Sequence, residues 1–160
     1  MPIESFPMKV IKPPQSIEIE PNTTTVFLAG SIDMGQAIDW QAEVTSALQN
    51  QPFTILNPRR DDWDSSWKQS IDNPQFNAQV NWELDGLEKA DIIAMYFAPT
   101  SKAPITLLEM GLFAHSKKLV VCCPDGFWRK GNVDVVSQRY DIPQVNNLAA
   151  LIDYIKTNIH

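Results

Sequence analysis

The sequence predicts an α/β protein: a three-layer sandwich with a central parallel sheet and helices on both faces. Three observations carry that prediction. Short apolar runs alternate along the chain with longer segments of helical period, an order that builds parallel strands joined by crossover helices. The runs at 24–29, 53–56, 91–97 and 118–123 are apolar with little alternation, as strands covered on both faces are. Polar and turn-forming residues collect directly after those runs, where open α/β sheets place their ligands.

Taken in order, residues 1–15 are proline-rich and without periodicity, and read as an extended arm. Ser16-Ile-Glu-Ile-Glu20 alternates and reads as an edge strand. The arm so defined spans residues 1–23, ahead of a single domain over 24–160. Thr24-Thr-Val-Phe-Leu-Ala29 is a buried strand ending at Gly30-Ser31, followed by a helix over about 36–48. Phe53-Thr-Ile-Leu56 is the next strand, closed by Asn57-Pro58. Residues 59–73 form a long polar and aromatic loop, of a length that points to function. A helix covers 74–89, with Val80, Leu84 and Leu87 as its apolar stripe. The strand 91–97 leads to a helix opened by Pro104, a residue suited to the first helical position. The strand 118–123, a second long loop and a helix near 148–158 complete the chain.

Composition narrows the function. The net charge is −6 and the isoelectric point about 4.8, which argues against a nucleic-acid polymer as partner, because phosphate backbones demand a basic footprint. A nucleoside or mononucleotide stays admissible. The two histidines, His115 and His160, and the adjacent pair Cys122-Cys123 form no cluster at metal spacing, so neither a metal nor an organic cofactor is expected. Neighbouring strand residues face opposite ways, so the two cysteines read as packing residues in a reducing cytoplasm. No apolar run is long enough to span a bilayer. The start of the chain lacks the basic-then-apolar pattern of a signal peptide.

The most informative stretch is Pro104-Ile-Thr-Leu-Leu-Glu109-Met-Gly-Leu-Phe-Ala. Ile105, Leu108, Leu112 and Phe113 fall at helical spacing and read as its buried face. Glu109 lies on the same face, four residues after Ile105 and four before Phe113. A carboxylate directed into an apolar face is costly unless paired, so Glu109 is either a structural acid with a partner or a functional one. Glu83 adjoins the stripe of the 74–89 helix beside Trp82 and is the second candidate.

Other candidates sit at the strand ends. Ala29-Gly30-Ser31-Ile32-Asp33 allows close backbone approach and offers N–H groups to an anion or hydroxyl. Asn57-Pro58-Arg59-Arg60-Asp61-Asp62-Trp63, with Trp67 beyond, suits a pocket that stacks a flat ring and bonds its edges, and equally a solvated loop with internal ion pairs. Gly126 and Gly131 have the spacing of a phosphate loop, but Asn132-Val133 stands where Lys-Ser/Thr belongs, which excludes that motif. No Gly-x-Gly-x-x-Gly fingerprint occurs, so nicotinamide and flavin have no support.

In their order and spacing, Val26-Phe-Leu-Ala-Gly-Ser31, Asn57-Pro58-Arg59, Trp82-Glu83-Leu84, Ala90-Asp91 and Pro104-Ile-Thr-Leu-Leu-Glu109-Met-Gly111 resemble the nucleoside 2-deoxyribosyltransferase family. The resemblance runs from about Val26 to Asn132. It implies a flavodoxin-like, Rossmann-like fold and exchange of the nucleobase of 2′-deoxynucleosides through a covalent sugar–enzyme ester, as in nucleoside salvage. It implies Glu109 as nucleophile and Glu83 as the acid that holds and protonates the base. It also implies a homo-oligomer in which Asn132 of a neighbouring subunit touches the sugar 5′-hydroxyl. Phe27 stands where many members have Tyr, and Ala103 where many have Asp. The hydroxyl is then replaced, absent, or supplied by another residue such as Tyr96, and the role of the missing carboxylate in sugar binding would pass to Asp33, Asp61 or Asp62.

The chemistry is coherent on its own terms. A two-step glycosyl exchange needs one carboxylate against the anomeric carbon, and a departing base needs a proton. Water has to be kept from the ester, with Trp40, Trp63 and Phe127 as expected walls. The same fold would also serve a nucleoside 5′-monophosphate N-glycosidase, with phosphate held by Ser31, Arg59 or backbone amides, or a nucleotide-sensing module without turnover.

Overall fold

The structure, a computed structural model, describes residues 8–31, 39–60, 64 and 66–159. In chain order its elements are β1 (Lys9–Ile11), β2 (Thr24–Gly30), α1 (Trp40–Ala47), β3 (Phe53–Leu56), α2 (Pro74–Lys89), β4 (Ile92–Tyr96), α3 (Pro104–Phe113), β5 (Leu119–Cys122), α4 (Lys130–Arg139), β6 (Gln144–Val145) and α5 (Leu148–Thr157). The strands form one six-stranded sheet in the order β1-β3-β2-β4-β5-β6, and every pairing is parallel.

Side chains alternate across this sheet and define two cores. Phe27, Ala29, Ile93, Met95 and Val121 face a core closed by Trp82 and Leu87 of α2, Met110 of α3 and Val133 of α4. Val26, Leu28, Ile55, Ala94 and Val120 face a core closed by Trp40 and Val44 of α1 and Leu151 and Ile155 of α5. The expected three-layer sandwich is therefore present. Cys122 and Cys123 fall on opposite faces, both buried and unbridged.

The helix starts have visible chemical causes. The Asp39 carboxylate accepts from Ala42 N–H at 3.0 Å. The Asn73 side chain accepts from Phe76 N–H ahead of Pro74, and Asn147 accepts from Ala150 N–H at 2.8 Å. Each satisfies an N–H that the first helical turn leaves without a partner.

Four expectations need correction. Lys9–Ile11, read within an unpaired arm, is a strand paired with β3. Ser16–Glu20 forms no strand; the place beside β3 is taken by β1. The stretch read as a loop after residue 124 contains α4 and β6. Phe127 and Val133 are consequently buried, leaving Trp128 exposed.

The fourth correction concerns α3. Ile105, Leu108 and Leu112 are not its buried face; they are 59%, 59% and 58% exposed. The inward face carries Thr106, Glu109 and Met110, with Leu107 and Phe113 partly buried. Both sets have helical spacing. On a helix apolar nearly all round, periodicity alone does not select the face that packs. Val80 of α2 is likewise outward, while Gln79, Trp82, Gly86 and Leu87 are buried.

The chain leaves β2 toward β3 on one side and later returns to β4 on the other, so the topological switch point lies between β2 and β4. Ser31 ties that point together. Its N–H donates to the Tyr96 carbonyl at 3.2 Å, its Oγ accepts from Ala98 N–H at 3.1 Å, and its carbonyl accepts from Trp40 Nε1 at 3.3 Å. Gly30 makes this closeness feasible. A Cβ there would lie 2.5 Å from the Trp40 ring and 2.6 Å from the Tyr96 carbonyl oxygen. Gly30→Ala is therefore expected to lower unfolding free energy by at least ~2 kcal/mol, measured by urea denaturation. An unchanged midpoint would remove Gly30 from this role.

Candidate active site

Glu109 occupies the second turn of α3 and is 7% exposed. Glu83, on α2, is only partly exposed. The two helices pack side by side on the same sheet face, which brings the carboxyls into electrostatic contact. Burial, and then the like charge of Glu109, raise the Glu83 carboxyl to about 8. Burial raises Glu109 to about 7. Among the described residues neither carboxyl has an ion pair or hydrogen bond. An acid in this state stays neutral longer than usual as pH rises.

The entry to α3 is strained. Ala103, its N-cap, has φ +43°, in the left-handed region that disfavours a β-carbon. Ser101, buried one turn earlier, holds it by accepting from Ala103 N–H at 3.2 Å. Nothing in the sequence patterning drew attention to Ser101. A Ser two residues before a buried left-handed position is a local signal that becomes readable only once φ is known.

After β3, the Asn57 side chain accepts from Arg59 N–H at 3.0 Å. The Arg59 guanidinium reaches Gln41 Oε1 at 3.4 Å and the Asp39 carboxylate at 3.8 Å. Arg60 donates to Gln79 Oε1 at 3.5 Å and lies over the Trp67 ring, while Gln79 Nε2 donates to the Pro58 carbonyl at 3.2 Å. Gln41 and Gln79, both buried, thus fasten this loop to α1 and α2. Neither was legible as a positioning residue, because a lone Gln in an amphipathic helix reads as surface.

The structure brings some candidates together and separates others. Glu109 and Glu83 share one side of the sheet, and Phe27 lies on that side. Phe27 is fully buried, against Trp82 and beneath Gly86. Ala29 is buried in the same core, and Ser31 is buried at the switch point beside Gly30. Tyr96 packs on Trp40 on the opposite face of the sheet, so its ring stands across the sheet from α3. Trp40 and Phe127, expected as walls, are core residues, the latter against Phe97. Asn132 is exposed in the first turn of α4. Asp33, Asp61, Asp62 and Trp63 lie outside the described residues. Among the described residues no group of three or more His, Cys, Asp or Glu is placed to hold a metal, and no helix is long and apolar enough to cross a membrane. A cavity of about 150 Å³ lined by Lys117, Leu119, Tyr140 and Asp141 lies toward the other end of the strands and contains no carboxylate pair.

The chain belongs to the family described as nucleoside 2-deoxyribosyltransferase like, whose pattern matches residues 23–127. That span includes both glutamates and the switch point. Among solved structures, a conserved protein from Enterococcus faecalis superposes with a TM-score of 0.59 at 13% identity, covering 84% of this chain and 98% of its own. It shares the fold. No curated protein matches the chain.

The carboxyl pair makes stability depend on pH with a definite sign. Both folded-state pKa values lie above the ordinary carboxyl value of 4.5, so the native state binds more protons than the unfolded one between about pH 4.5 and 8. Stability therefore falls as pH rises through that window. Glu83→Gln is expected to remove on the order of 2 kcal/mol of that fall, read as the difference between variant and wild-type urea midpoints at about pH 5.5 and 8.5. Parallel pH profiles for the two proteins would show that the carboxyl of Glu83 is not perturbed.

Proposed function

We propose that this protein is a nucleoside 2-deoxyribosyltransferase, exchanging the base of 2′-deoxynucleosides through a deoxyribosyl ester on Glu109. The observation that carries the reading is the Glu109–Glu83 pair, two carboxyls in electrostatic contact, both raised by burial and without an ion pair among the described residues. In the first step a Glu109 carboxylate oxygen bonds to the anomeric carbon as the C1′–N bond breaks, and the proton held by Glu83 passes to the departing base. Positive charge developing on the sugar is stabilised by the anion beneath it. The acceptor base reverses the sequence, returning a proton to Glu83 and restoring the Glu109 carboxylate. No cofactor is required.

The remaining candidates take supporting roles in this reading. The Gly30-Ser31 turn, Asn57 and Arg59 border the crevice, and Asp33, Asp61, Asp62 and Trp63 supply contacts to sugar and base. Asn132 comes from a neighbouring subunit of a homo-oligomer. The catalytic domain spans 24–160.

Incubation with 2′-deoxyinosine and adenine should yield deoxyadenosine by chromatography, in excess of free deoxyribose. Glu109→Ala should lower that exchange by roughly a thousandfold or more, and mass spectrometry of wild type without acceptor should find the sugar adduct on Glu109. Glu83→Gln should cost about 10²–10⁴ in rate. Exchange should peak between pH values of about 7 and 8, where one carboxyl is ionised and the other protonated. An adduct on another carboxylate would reject the nucleophile. Dominant release of free sugar with a requirement for a 5′-phosphate would make the enzyme a monophosphate glycosidase, and no turnover of any nucleoside would leave a sensing module.

A further inference from the structure

We propose, on the reading of Glu109 as nucleophile, that Trp128 is a positioning residue: its indole N–H locks the Lys102–Ala103 peptide and so sets where α3 carries Glu109. Trp128 is 51% exposed, too open for its ring to serve as core. Its Nε1 nevertheless donates to the Lys102 carbonyl at 2.9 Å. The Lys102 ammonium and the Arg129 guanidinium lie over the ring, 5.4 and 4.4 Å from its centre, and help to hold its plane.

The Lys102 carbonyl and the Ala103 N–H belong to one peptide unit. That N–H donates to Ser101 Oγ at 3.2 Å. Both polar atoms of one peptide plane are therefore engaged, the oxygen by the turn after β5 and the N–H within its own loop. The plane needs holding. Ala103 has φ +43° and ψ +52°, costly for a residue with a β-carbon. It also precedes Pro104, and a residue before proline favours an extended backbone. Relaxing Ala103 to that conformation would turn the peptide, break both hydrogen bonds and redirect the chain as it enters α3.

The latch has a firm base. Phe127 is buried against Phe97, with ring centres 4.8 Å apart. Lys130 N–H donates to the Phe127 carbonyl at 3.0 Å, and Lys130 Nζ to the Cys123 carbonyl at 2.9 Å. The turn from β5 into α4 is thus tied on both sides of Trp128. Glu109 lies six residues beyond Ala103, about 9 Å along a helix. A tilt of about 6° at the start of α3 displaces it by about 1 Å. A misplacement of that size costs on the order of a hundredfold in rate where a nucleophile has to meet one carbon.

The test compares wild type with Trp128→Phe and Trp128→Leu, which remove the N–H from a half-exposed position. Amide hydrogen exchange read by mass spectrometry should show protection from Ala103 to Glu109 falling on the order of tenfold or more, with α5 unchanged. In the conversion of 2′-deoxyinosine and adenine to deoxyadenosine, kcat should fall on the order of tenfold or more while KM stays within about twofold. If one variant does not fold by circular dichroism, the other decides. Wild-type protection over 103–109 overturns the proposal, as does a kcat loss no larger than the loss of folded protein. A raised KM at unchanged kcat overturns it too, because Trp128 would then contact substrate. A wild type inert toward every nucleoside would end the glycosyl-transfer reading alone, and amide protection then decides the latch.

Discussion

Two carboxyls in electrostatic contact, with no paired cation among the described residues, constrain everything else at this site. Desolvation alone raises Glu109, and desolvation plus the Glu109 charge raises Glu83 further. A sequence selected only for stability would place a cation beside them or apolar side chains in their stead. Keeping the pair requires a scaffold with stability to spare, and the central strands supply it. β2 and β4 are covered by helices on both sides, with nearly every side chain buried. A stabilised frame around a destabilised site is the usual arrangement where function opposes stability.

The polar groups around the site hold backbone in place more than they present themselves to solvent. Ser31 spends its N–H, carbonyl and hydroxyl oxygen on joining β2 to β4 and α1. Gln41 and Gln79 fasten the segment after β3, and Ser101 fastens the left-handed turn that launches α3. The crevice is thus shaped from behind, by buried residues that set where the strand ends can go.

Much of the frame was readable from the sequence, and the reasons for the failures are local. The four long apolar strands stood out because burial on both faces leaves an uninterrupted apolar run. β1 and β6, three and two residues long, are too short to show any period. α4 begins Lys-Gly-Asn and has few apolar residues, so it read as loop. Glu109 was correctly read as buried, yet partly for a wrong reason. The face assigned to it included Ile105, Leu108 and Leu112, which point outward, and only Phe113 turns inward with it. A helix apolar on two sides offers two registers, and the choice between them is made by packing against β4 and β5. Glu83 was recognisable through its place in a family pattern, since its flanking stripe alone would have marked it as a solvated charge.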